Sequence, residues 1–106
     1  MVVQRAEVRF RPESLRDLQD IFYFILTVSQ SPAVARGYVG RIRRRCESIA
    51  HAPNAGRPRY DLLPGLRIVP FERSAVIAYK VENGIVLVTN VFFGRRDYEA
   101  LYRDEQ

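Results

Sequence analysis

Cysteine, histidine and lysine are each represented once, by Cys46, His51 and Lys80. A single cysteine excludes an internal disulfide and fits a reducing cytoplasm, the expected location. No histidine and cysteine cluster has metal-ligand spacing, so neither a metal nor another cofactor is expected. A glycine-rich phosphate loop is also missing, because Gly37 and Gly40 fall inside a helical pattern. The longest apolar stretch of the first helical segment, residues 21–28, is far too short to span a membrane. The first residues show no basic region followed by a long apolar one, so no secretory leader is expected.

What is present points to one compact domain over residues 1–106, with a hydrophobic fraction of 47% and an aromatic fraction of 11%. The net charge is +5 and the isoelectric point about 9.9, and all but one of the 17 basic residues are arginine. Forked guanidinium groups suit carboxylate and phosphate, so an acidic protein segment or a nucleic acid is the expected partner.

Hydrophobic periodicity divides the chain. Ala6, Val8 and Phe10 alternate with Glu7 and Arg9, which predicts a half-buried strand. From Pro12 the period becomes helical. Leu15, Leu18, Phe22, Ile25 and Leu26 form one stripe, and Ile21, Phe24 and Val28 a second beside it. Glu13, Asp17 and Asp20 lie toward the N-terminal half, where the helix dipole favours them. Ser31 is placed as the N-cap of a second helix, with Pro32 in its first turn. That helix carries Ala35, Tyr38, Val39, Ile42, Cys46 and Ile49 at spacings of three and four, and the short connection predicts an antiparallel helical hairpin.

The segment from Pro53 to about Gly65 is read as a loop. Residues 66–71 and 75–81 are expected strands, with Glu72-Arg73-Ser74 turning the chain between them. Asn83-Gly84 is a strong hairpin signal, since both central residues must accept positive φ. Residues 85–93 carry almost no charge, which suggests a central strand, and a short helix is expected from about Tyr98. The expected class is α+β: a β-α-α-β-β-β order with a short C-terminal helix. The helical hairpin should cover one face of a mainly antiparallel, four-stranded sheet.

In order and spacing, several segments resemble the RelE/ParE toxin superfamily, and its ParE-like branch in particular. They are Val8-Arg9-Phe10-Arg11-Pro12-Glu13, the loop Pro53-Asn54-Ala55-Gly56-Arg57-Pro58, and Pro64-Gly65-Leu66-Arg67. Leu18-Gln19-Asp20-Ile21, Arg41-Ile42 through Ser48-Ile49, Tyr79-Lys80-Val81 and Val91-Phe92-Phe93-Gly94-Arg95-Arg96-Asp97-Tyr98 complete the set. The resemblance implies the toxin of a type II toxin–antitoxin pair, held in a hetero-oligomer by a ParD-like antitoxin. It implies one of two targets: DNA gyrase, inhibited by binding, or messenger RNA cleaved on the ribosome. A third possibility it leaves open is an inactive relative that serves only in antitoxin complex and operon repression.

Cleavage of RNA through its 2′-hydroxyl needs a base, an acid and cations around the phosphorane. Arg67, Arg95, Arg96 and Tyr98 could supply some of these roles, but Phe93 stands where many relatives carry a histidine and can transfer no proton. The ParE-like reading is therefore the first expectation. On that reading Arg67, Arg73, Arg95 and Arg96 contact the target. The stripe Ile21, Phe24 and Val28 receives an antitoxin helix, with Arg41 and Arg44 at its rim.

Overall fold

The computed structural model describes residues 6–94 and 97–103. The elements run β1 (Glu7–Phe10), α1 (Pro12–Ser29), α2 (Pro32–Ser48), a single 3-10 turn (Ile49–His51), β2 (Arg57–Pro58), β3 (Arg67–Phe71), β4 (Ala75–Glu82), β5 (Ile85–Phe93) and α3 (Tyr98–Arg103). They form one five-stranded sheet in the order β1-β5-β4-β3-β2, with only the β1–β5 pair parallel. The fifth strand corrects the expected four. Arg57 and Pro58 lie along the free side of β3 opposite Ile68 and Arg67, inside the segment read as loop. Two residues are too few to show an alternating pattern, and proline is tolerated there because the strand is an edge.

Local chemistry sets the connections. Gln30 ends α1 in the left-handed region at φ 57°, and Ser31 caps α2 by accepting the Val34 N–H at 3.2 Å. Asn83 and Gly84, at φ 53° and 76°, join β4 to β5 with Glu82 directly opposite Ile85. The β3–β4 turn is less comfortable. Glu72 and Arg73 both take positive φ, 46° and 58°, while Ser74 N donates to Phe71 O. Side chains in that region cost about 1–2 kcal/mol per residue.

Strand β5 contains one extra residue. Ala78 lies opposite Asn90 but Tyr79 lies opposite Val88, so Thr89 is bulged out of the pairing. Its buried hydroxyl donates to Ala78 O at 3.2 Å. The bulge reverses the alternation of the strand. Val86 and Val88 face the helices before it, and Val91 and Phe93 face them after it. Phe92 is sent to the opposite face, where it packs with Leu62, Leu66, Ile68 and Ala78 under Tyr98 and Tyr102. Both sheet faces are therefore covered: α1 and α2 lie on one, and α3 with the 59–66 segment lies on the other.

The loop after α2 is anchored by Tyr79, which is completely buried. Its hydroxyl donates to Pro53 O at 2.7 Å and accepts the Gly56 N–H at 3.0 Å. Gly56 has no alternative, since a Cβ there would collide with that same hydroxyl. Cys46, also fully buried, belongs to the main core, and burial pushes its thiol up to about 12. It is a neutral packing group at pH 7. Among the described residues no helix is long and apolar enough to cross a membrane.

Replacing Tyr79 by Phe removes the hydroxyl and keeps the ring, leaving a buried N–H and a carbonyl unpaired. The expected cost is about 1–3 kcal/mol, read as a lower urea midpoint with an unchanged slope. A midpoint equal to wild type would show that the loop does not depend on this hydroxyl.

Candidate functional site

The two apolar stripes of α1 meet different fates. Leu18 and Ile21 enter the core, whereas Phe24 is 53% exposed and Val28 67% exposed. Asp17 sets this rotation. Its carboxylate accepts the Val91 N–H at 2.8 Å and an Asn90 amide N–H at 3.3 Å, beyond the point where β1 has ended opposite Val88. The helix thereby substitutes for a missing neighbour strand. One and two turns further on, Ile21 and Phe24 reach the C-terminal end of β5. Ile21 is 4% exposed, so it cannot offer a side chain to a partner as the sequence suggested; it supplies the floor.

Above that floor lies an open hollow of about 460 Å³ lined by Asp20, Ile21, Phe24, Phe93 and Gly94. The rings of Phe24 and Phe93 meet at 5.4 Å between centroids. Phe93 in turn meets the edge of Tyr38 at 5.7 Å, and Tyr38 meets Phe71. The Arg41 guanidinium covers the Tyr38 ring at 5.4 Å and grips Glu72 with two hydrogen bonds, at 2.9 and 3.2 Å. The Tyr38 hydroxyl and Ser74 Oγ lie 2.6 Å apart. The aromatic cluster and the strained β3–β4 turn are thus linked by direct side-chain contacts.

Hydrogen bonding to Arg41 holds the Glu72 carboxyl below the usual glutamate range. The pair is therefore intact above that range and is lost as the pH falls through the lowered value. Arg41 is already engaged within the chain, so it meets a partner only by sharing or exchanging Glu72. Arg44 is not at the rim. It lies six residues beyond Tyr38, about 9 Å along the helix, and its guanidinium folds back over Gly40.

The residues proposed for RNA cleavage are placed differently. Arg67 donates to Asn54 O and Gly56 O at 2.9 and 2.8 Å and to the Tyr60 hydroxyl at 2.8 Å, and its guanidinium stacks over the Tyr60 ring. It holds the loop together. Tyr98 stacks on Phe92 at 5.4 Å, and its hydroxyl accepts from Arg59 at 3.2 Å. Arg73 projects from the exposed β3–β4 turn with no ion pair among the described residues, and Arg95 and Arg96 lie outside the described residues.

Comparison with known proteins agrees with this architecture. The family model described as the ParE toxin of the type II toxin–antitoxin system parDE matches residues 8–98. The chain belongs to the ParE toxin family. No curated protein matches it significantly. Among solved structures, a chromosomal ParDE system from P. aeruginosa superimposes with a TM-score of 0.74 at 18% identity. That match covers 86% of this chain and 98% of the other. The RelBE2 toxin–antitoxin complex of Mycobacterium tuberculosis gives 0.64 at 16% identity, covering 85% and 99%. A mutant of the E. coli RelE toxin in its free state gives 0.64 at 12% identity, covering 96% and 97%. These likenesses establish a fold that ParE and RelE toxins share.

Sequence reasoning missed Arg59, the most heavily bonded arginine among the described residues of this ParE chain. Its side chain is 12% exposed and pairs with Asp61 at 2.9 Å and Glu99 at 2.7 Å while donating to Tyr98. The hydrogen bonds it donates to Asp61 first and to Glu99 second raise its pKa, so it stays charged throughout. Its one sequence signal was a position after Pro58, which says nothing about a partner 40 residues away. Arg59→Ala should release α3 from the sheet. Amide exchange at residues 98–103 is expected to accelerate at least about tenfold, a loss of roughly 1.4 kcal/mol of local stability, with the β4 and β5 amides unchanged. Equal protection in the variant would contradict the latch.

Proposed function

We propose that this ParE-family toxin acts by occupying a protein target, DNA gyrase, and is neutralised when an amphipathic antitoxin helix fills the hollow between Phe24 and Phe93. The observation that carries the reading is the aromatic pair of exposed Phe24 and half-buried Phe93. Phe24 and Phe93 sit on a rigid support, with Ile21 beneath them and Asp20 at one side. Interfaces draw most of their energy from a few aromatic anchors in such settings. A partner helix with apolar residues at spacings of three and four fits the space, and a basic residue on it would meet Asp20.

The non-catalytic part of the proposal is supported by the engagement of Arg67 and Tyr98, two of the candidate RNase groups. Arg67 is held by loop carbonyls, Tyr98 by Arg59 and Phe92, and Phe93 offers no proton. Arg73 is the natural target contact. It stands on a turn of two strained residues beside the hollow, and such strain gathers at sites of function.

A gyrase supercoiling assay with the full chain and its cognate antitoxin tests both halves. Wild type should block supercoiling, Arg73→Gln should lose most of that block, and antitoxin should restore activity. Phe24→Ala should block supercoiling normally but need at least about 30-fold more antitoxin for reversal, equivalent to about 2 kcal/mol at an anchor residue. Unimpaired supercoiling at saturating toxin would reject the target. Reversal of Phe24→Ala at the wild-type antitoxin dose would reject the hollow as the docking place.

A further inference from the structure

The outward face of α2 is separate from the hollow, and its chemistry is independent of the gyrase and antitoxin reading. From Arg36 to Glu47 every exposed position is arginine except Gly37 and Glu47. Of the exposed arginines elsewhere among the described residues, Arg9 pairs with Glu7, Arg16 with Glu13, and Arg103 with Asp97 and Glu99, while Arg11, Arg57 and Arg73 have no ion pair but lie scattered on separate elements. Arg36, Arg43 and Arg44 have no such partner among the described residues. Arg43 lies over the Phe10 ring at 5.2 Å, which steadies its guanidinium while leaving its donors outward. At 100° per residue these three side chains project from one arc of the helix, over a length of about 12 Å.

We infer that this face binds the phosphate backbone of duplex DNA. A protein partner needs a buried aromatic or aliphatic anchor, and this arc offers none: between the arginines lie only Gly37 and Gly40. Single-stranded nucleic acid is held by stacking bases on aromatic rings, and no aromatic side chain is exposed among these arginines. Duplex phosphates ask only for spaced, outward-facing donors on a rigid element, which guanidinium forks provide. The major groove of B-DNA is wide enough to admit a helix, whereas that of duplex RNA is too narrow for its side chains. The glycines leave room on this face for the neighbouring guanidinium groups, that of Arg44 lying over Gly40 and that of Arg41 near Gly37.

The test is fluorescence anisotropy of a labelled 20-base-pair DNA of arbitrary sequence with the full chain, at increasing salt. The variant R36Q/R43Q/R44Q removes the face, and R9Q/R16Q/R103Q removes the same number of charges from exposed ion pairs. Thermal melts establish that both remain folded. Wild type should bind at low salt with a steep salt dependence. Loss of the face should weaken binding at least about tenfold and lower the log–log salt slope by about 0.9 per contact. The control variant should keep the wild-type slope. Equal weakening by both variants would overturn the proposal, because it would mean diffuse attraction to net charge. Tighter binding of duplex RNA, or of polyglutamate of equal charge, through the same three arginines would overturn it as well.

Discussion

The extra residue in β5 is the constraint on which the rest of this molecule depends. A regular strand would keep one alternation throughout, placing Phe92 under the helices and Phe93 on the opposite face. With the bulge at Thr89, Phe93 joins Phe24 and Tyr38 on the helical side, and Phe92 becomes the platform for Tyr98 and α3. Two sets of hydrogen bonds hold the bulge from its two sides: Thr89 to Ala78 across the sheet, and Asn90 and Val91 to Asp17 of α1. The second also fixes which stripe of α1 is buried. An irregular strand, a helix rotation and an exposed aromatic surface are therefore one structural decision, which is why bulges are found beside functional sites.

Arginine dominates the surface but does several distinct jobs. Arg59 and Arg67 are structural, since each ties a loop or a terminal helix to the sheet through several hydrogen bonds. Arg41 links α2 to the strained turn through Glu72. Arg36, Arg43 and Arg44 face outward without such ties. Net charge alone could not separate these groups, because it counts a guanidinium locked onto carbonyls the same as one facing solvent.

Features with local causes were legible in the sequence. The Asn83-Gly84 hairpin, the Ser31 cap and the helical hairpin each follow from residues within a few positions of one another. The α+β class and the central place of β5 followed from pattern and charge. Features with distant causes were not legible. Asp17 read as a dipole-favoured acid, yet its partner is Val91; Ile21 and Phe24 read as one stripe, yet the bulge buries one and exposes the other. Strand β2 was too short to register, and the loop-binding role of Arg67 depends on carbonyls brought to it by folding. Of the candidate site residues, Phe24 and Val28 are exposed, Ile21 is buried beneath them, and Arg67 is bonded into the 53–60 loop.

In the proposed mode of action, the Asp17 clasp on the bulged strand creates the surface that receives the antitoxin. Calorimetric titration of the folded Asp17→Ala chain with that antitoxin tests this directly, because Asp17 bonds β5 behind the docking surface. Binding should be weaker by about tenfold or more, roughly 1.4 kcal/mol, in a protein that still melts cooperatively. Wild-type affinity in that folded variant would contradict it.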